Sequence, residues 1–157
     1  MEIEKKPLVE FLLKAKNATY AAQGDEASVP PLLEGYRQLE YVEGDYFYRD
    51  VYVGMAYFAG QETIYFHGQP IWSMTYGGGT LKELSLDEVK DTYAFLRQAM
   101  RRVAEDHPYR GPHTFSAGVY QYFDVNEGDM ERFSGKEKIL RQGTEIYSLQ
   151  YCGGLIC

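Results

Sequence analysis

Apolar residues recur at helical spacing in two stretches. In residues 7–16, Leu8, Phe11, Leu12 and Ala15 share one face, and Pro7 is tolerated in the first turn. The second pattern is stronger. Leu86, Val89, Tyr93, Leu96, Met100 and Val103 follow 3-4-3-4-3 spacing, a single stripe suited to a sheet or a partner helix. Ser85-Leu-Asp-Glu88 precedes it as a capping box, in which the Ser hydroxyl and the Glu carboxylate satisfy opposing orphan amides. Asp106, His107, Pro108 and Gly111-Pro112 end it. Residues 38–76 read as strands punctuated by Gly44, Gly54, Gly60 and Gly68, and strands resume at about Thr114. Residues 23–35, with Gly24, Pro30 and Pro31, read as a loop.

The pattern occurs twice. FAGQETIYFHGQPIWSMTYGGG (58–79) and FSGKEKILRQGTEIYSLQYCGG (133–154) are identical at 10 of 22 positions, at a fixed offset of 75. Ordinary residue usage gives about one or two matches at a random offset. A one-residue shift places Tyr46-Phe-Tyr-Arg-Asp-Val51 over Tyr120-Gln-Tyr-Phe-Asp-Val125. Such self-similarity decides architecture before local propensity does. The 157 residues hold one ordinary core, so the repeats, about 5–79 and 85–154, are expected as two halves of a single domain over 1–157. The expected fold is α+β and internally duplicated: a helix plus antiparallel strands, twice. The strands form one antiparallel sheet with both helices on one face.

His67-Gly68 and Gln142-Gly143 read as two-residue hairpin turns. Regular pairing from such a turn sets Glu62 opposite Ser73 and Ile64 opposite Ile71. Side chains alternate. Phe58, Gly60, Glu62, Ile64, Ile71 and Ser73 would then share one face, with Phe133, Gly135, Glu137, Ile139, Ile146 and Ser148 in the other copy. Trp72, Met74 and Tyr76, and Tyr147, Leu149 and Tyr151, would pack on the helices. The open face would carry two symmetry-related carboxylates, Glu62 and Glu137, each beside a serine.

A carboxylate among apolar groups is costly without a task or a partner. Either the glutamates bind or catalyse, with raised pKa values, or they stabilise the fold through serine hydrogen bonds or cationic partners. Tyr46, Tyr48, Asp50 and Tyr52 share one strand face, and Tyr120, Tyr122 and Asp124 repeat it. Beside the glutamates they would form an acidic aromatic cleft favouring flat or cationic ligands. The candidate ligand-binding set is Glu62, Glu137, Tyr48, Asp50, Tyr122, Ser73, Ser148 and Phe58.

Composition narrows the classes. Net charge is −7, with 23 acidic and 16 basic residues, which disfavours a nucleic-acid surface. Lys90, Arg97, Arg101 and Arg102 read as a solvated helix face. Cys152 and Cys157 form neither a disulfide framework nor a metal pair, and reduced cytoplasmic thiols are expected. The start, MEIEKKPLVEFLLKAK, predicts neither a signal peptide nor a membrane span. His67, His107 and His113 lack ligand spacing, so no metal and no cofactor are expected. Tyr, Phe and Trp make up 15% of the chain, which suits half-buried or ligand-gripping surfaces as well as plain strand formation.

The stretch from Tyr46-Phe-Tyr-Arg-Asp through Gly60-Gln-Glu62 to Ile71-Trp-Ser-Met-Thr-Tyr-Gly77, with Tyr147-Ser-Leu-Gln-Tyr151-Cys-Gly-Gly154, resembles a bacterial family of domains of unknown function. Its members look like stand-alone proteins or the C-terminal part of helix-turn-helix regulators. No activity comes with the resemblance. The duplicated plan is also similar to gyrase-inhibitor-like small-molecule-binding domains, which place a glutamate and aromatics between two pseudo-symmetric halves. The expectation is therefore a cytoplasmic protein binding a small molecule, an organic cation among the options, on an acidic, Tyr-rich sheet face. One alternative is a hydrolase in which Glu62 or Glu137 activates water. The other is a structural or protein-interaction module. Neither nucleic acid nor membrane is an expected partner, and a homodimer is left open.

Overall fold

The capping box forms as its spacing predicts. The Glu88 amide donates to the Ser85 hydroxyl, and the Ser85 amide donates to the Glu88 carboxylate. In the computed structural model, which describes residues 3–22 and 26–156, this cap opens α2 (Leu86–Met100). The other helix is α1 (Lys5–Ala18). The strands are β1 (Ser28–Val29), β2 (Arg37–Glu43), β3 (Tyr46–Gly54), β4 (Tyr57–Phe66), β5 (Gln69–Thr80), β6 (Thr114–Ala117), β7 (Tyr120–Asp129), β8 (Arg132–Arg141) and β9 (Thr144–Leu155). They form one antiparallel nine-stranded sheet in the order β1-β2-β3-β4-β5-β9-β8-β7-β6. The fold is α+β, as expected. Short β1 lies within the stretch expected to be a loop; residues 23–25 of that stretch, and Cys157, lie outside the described residues.

The halves meet at β5 and β9, where Tyr76 pairs directly with Tyr151, its counterpart in the repeat. Both helices pack on one sheet face. Leu8, Phe11, Leu12 and Ala15 of α1 join Val89, Phe95, Leu96, Ala99 and Met100 of α2 among the buried residues. Phe11 stacks on Tyr46 at 5.0 Å and Phe95 on Tyr120 at 5.1 Å, so each helix grips the same kind of strand position in its half. The α2 stripe is broader than the predicted line. Phe95 and Ala99 belong to it, whereas Leu86 is exposed and Val103 half-buried.

The hairpin turns are as predicted. His67 and Gly68 have φ of 49° and 77°, and Gln142 and Gly143 have 49° and 80°, the double positive φ of a tight two-residue turn. The register beyond them is not. Tyr65 pairs with Pro70, but Ile64 pairs with Trp72, leaving Ile71 as an extra residue in β5. Leu140 pairs with Glu145 and Ile139 with Tyr147, leaving Ile146 extra in β9. Each bulge slips the register by one residue, which exchanges the faces of everything beyond it. Glu62 now lies opposite Met74, and Glu137 opposite Leu149. The expected pairing of Glu62 with Ser73 is therefore replaced. Both glutamates share the helix-facing side with Trp72, Met74 and Tyr76, and with Tyr147, Leu149 and Tyr151. Ile71 and Ile146 are buried as well.

The repeated glycines Gly60 and Gly135 acquire a reason. Gly60 pairs with Tyr76 and Gly135 with Tyr151. A Cβ on Gly60 would lie 2.3 Å from the Tyr76 hydroxyl, and one on Gly135 would lie 2.2 Å from that of Tyr151. Each tyrosine lies across the glycine of the adjacent strand to reach an aspartate one strand further on. Gly135→Ala should therefore destabilise by about 1–3 kcal/mol through overpacking. Urea denaturation measures this, with Lys136→Ala on the open face as the near-neutral control. Equal stability of Gly135→Ala and the unsubstituted protein would contradict the packing described.

Candidate functional site

The slipped register gathers polar side chains under the helices. Asp50 on β3 faces Glu62 on β4, and Asp124 on β7 faces Glu137 on β8. Tyr48 and Tyr122 lie on the same faces, one alternation away. All six are almost fully buried. Buried carboxylates need partners, and each has one. Lys16 of α1 donates to Glu62 Oε2 at 2.7 Å. Tyr76 donates to Asp50 Oδ1 at 2.6 Å. Arg110, in the loop after α2, donates to Glu137 Oε1 at 2.8 Å from a terminal nitrogen and to both carboxylate oxygens from Nε at 3.2 Å. Tyr151 donates to Asp124 Oδ1 at 2.8 Å.

The two halves differ in how completely these groups are satisfied. Glu137 also accepts from Tyr122 at 2.6 Å and from Tyr147 at 2.7 Å, and the Gly111 amide donates to the Tyr122 hydroxyl. In the first half, Trp72 stands where the second has Tyr147, and its indole cannot extend a hydroxyl to the glutamate. Trp72 Nε1 and the Tyr48 hydroxyl are buried without a hydrogen-bond partner, and Tyr48 lies near Glu62 and Thr19. A void of about 10 Å³ lies among Lys16, Tyr20, Ala21, Glu62, Met100 and Arg110. Around Glu137 the second half is closed, although Asn126 Nδ2 and His107 Nε2 are buried there without a hydrogen-bond partner; around Glu62 the first half is incomplete.

Beside the incomplete half a pocket of about 120 Å³ opens. Its walls are Tyr20, Tyr52, Phe58, Tyr76 and Tyr93, with Asp50, Arg110, Arg37 and Arg97 as charged groups. The Arg110 guanidinium, anchored to Glu137, lies 5.6 Å from the Tyr20 ring centre and 5.5 Å from that of Tyr76.

Burial sets the protonation chemistry. Desolvation, then the neighbouring Glu62 charge, pushes Asp50 up to about 7. Desolvation and Glu137 do the same to Asp124, also to about 7. Burial pulls Lys16 below its ordinary value in spite of Glu62. Burial acts to lower Arg110 as well, but the Glu137 carboxylate overrides it and holds Arg110 above its ordinary value.

The candidate residues thus divide. Asp50 and Phe58 line the pocket, while Glu62 and Tyr48 lie in the incomplete cluster beside it. Glu137 and Tyr122 belong to the closed half. Ser73 and Ser148 lie on the opposite face of the sheet, away from the glutamate carboxylates. Ser73 Oγ donates to the Glu62 backbone carbonyl at 2.8 Å, so the predicted serine–carboxylate pairing does not form. The expected open acidic face is replaced by an internal one. At its centre the open face carries Ser73, Thr75, Gln150 and Cys152 instead. Sequence reading missed Lys16, Tyr20, Arg37 and Arg110 as contributors. Arg97 had been read only as part of a solvated face. The shared Gly60 and Gly135 were the available signal for the tyrosine–aspartate reach.

Residues 50–156 match the family described as Domain of unknown function (DUF5680). The chain belongs to this family. The match covers most of the site but leaves Lys16, Tyr20, Arg37 and Tyr48 outside it. Searches of the curated proteins and of the solved structures found no match. Among the described residues no helix is long and apolar enough to cross a membrane.

The aspartates make stability fall with rising pH. Their folded pKa values, about 7, exceed the ordinary 3.8, so the native protein binds more protons than the unfolded chain between those values. Their stabilising contribution is full below that window and is lost as pH rises through it. The melting temperature should drop between about pH 4 and about pH 7, and Asp124→Asn should flatten the drop. A melting temperature that rises over this range would contradict the assignment.

Proposed function

We propose that the protein binds a small molecule, and that its site is the pocket beside the first-half cluster. One observation carries this reading. The same set of carboxylates and tyrosines occurs twice, closed in one half and incomplete next to a pocket in the other. A buried unpaired polar group costs about 1–3 kcal/mol. Tyr48 and Trp72 are two such groups in the half that also holds the pocket, whereas their counterparts Tyr122 and Tyr147 both donate to Glu137. An acid titrating near neutrality in a concave, aromatic-walled site is what a binding or catalytic centre characteristically contains. The second half then serves as the rigid frame: Glu137 holds Arg110, and Arg110 forms part of the pocket wall.

Two observations weigh against hydrolysis by the glutamates. Glu62 faces Lys16, and Glu137 is saturated by Arg110, Tyr122 and Tyr147. Neither is poised to activate water. The pocket likewise favours binding over a purely structural or protein-interaction role, for which a flat tyrosine-rich surface would be the expected feature.

A thermal-shift screen with a mixed library of single-ring anions, cations and neutral compounds tests the reading. Some compounds should raise the melting temperature saturably. Their effect should be lost in Met55→Trp, which adds bulk at an exposed rim residue of the pocket. Absence of any stabilising compound, or hits indifferent to Met55→Trp, would sink it.

A further inference from the structure

The pocket's own charges indicate what it takes, an inference that rests on the binding reading above. Three arginines and one aspartate line it. Arg110 is already neutralised by Glu137. Arg37 and Arg97 make no ion pair and no side-chain hydrogen bond among the described residues, yet both line the pocket. A cationic ligand finds little here. Glu62 is engaged by Lys16 and Glu137 by Arg110. Asp50 is hydrogen-bonded by Tyr76. The rings of Tyr20 and Tyr76 already face the Arg110 guanidinium.

An anion fits each of these features. Guanidinium groups recognise carboxylates through paired, planar hydrogen bonds. Size narrows the class further. A cavity of about 150 Å³ accommodates benzene in another protein, and this pocket measures about 120 Å³. A single ring is therefore the upper limit, against walls of Tyr52, Phe58 and Tyr93.

We infer that the pocket binds a small monocyclic carboxylate, with the ring against Tyr52, Phe58 and Tyr93 and the carboxylate held by Arg97 and Arg37. This reverses the ligand charge that the expected acidic aromatic cleft suggested. The glutamates that made a cation attractive are spent inside the fold, and the unpaired charges at the pocket are positive.

Isothermal titration with benzoate, benzamide and benzamidine tests the inference, since the three share shape and differ in charge. Benzoate should bind saturably, benzamide more weakly, and benzamidine not at all. Arg97→Met and Arg37→Met should each weaken benzoate about tenfold or more, because a hydrogen bond to a charged group is lost. Arg37 is exposed and Arg97 half-buried, so circular dichroism should show both variants folded. Benzamidine binding as tightly as benzoate overturns the inference. So does benzoate binding indifferent to both substitutions, and so does the absence of benzoate binding. If benzoate fails while the mixed library yields Met55→Trp-sensitive compounds, the binding reading stands and the anion assignment falls. If the library yields none, both fall.

Discussion

One extra residue in each of two strands determines where this protein keeps its charge. Ile71 and Ile146 interrupt the hairpin ladders and slip them by one position. Without the bulges Ser73 and Ser148, rather than Met74 and Leu149, would lie opposite Glu62 and Glu137. With them, Glu62 and Glu137 point under the helices, and each requires a cation. Removing one partner of such a buried pair costs about 3–5 kcal/mol. The placement of α1 is therefore tied to Lys16 meeting Glu62, and that of the loop after α2 to Arg110 meeting Glu137. Each aspartate lies directly across from a glutamate in a regular ladder, and burial and then that neighbour raise its pKa to about 7.

The two cations differ in kind, and so do the two halves. Arg110 presents a planar fork to Glu137, and two tyrosines complete the carboxylate's shell. Lys16 makes one contact with Glu62, and Trp72 has no hydroxyl to add a second. A lysine loses its proton more readily on burial than an arginine does. The first half is thus both less satisfied and more readily titrated. Glu137, by contrast, has the saturated hydrogen bonding of a structural carboxylate.

Much of the fold was legible in the chain. The capping box, the helical stripe and the two glycine turns appear where the spacing put them. The repeat located both hairpins. It also marked Asp50, Glu62 and Tyr48 with their counterparts Asp124, Glu137 and Tyr122, and the structure gathers each trio. What could not be read was the face. A bulge leaves no trace in alternation when the inserted residue is itself apolar, as Ile71 and Ile146 are. The partners were also hidden. Lys16 lies one residue beyond the last apolar position of a short amphipathic pattern, and Arg110 sits in a Pro- and Gly-flanked loop. Neither has a local feature that marks it as buried, because the pairing is made across 46 residues in one case and 27 in the other.

Cross-strand contacts around the bulges are the most direct measure of this account. In an isotope-labelled sample, nuclear Overhauser effects between backbone protons report which residues face each other across a ladder. The account predicts contacts pairing Glu62 with Met74 and Glu137 with Leu149, with Ile71 and Ile146 left without an opposite residue. Contacts pairing Glu62 with Ser73 and Glu137 with Ser148 would contradict it. They would return the carboxylates to the open face and leave Lys16 and Arg110 without the partners on which the buried clusters depend.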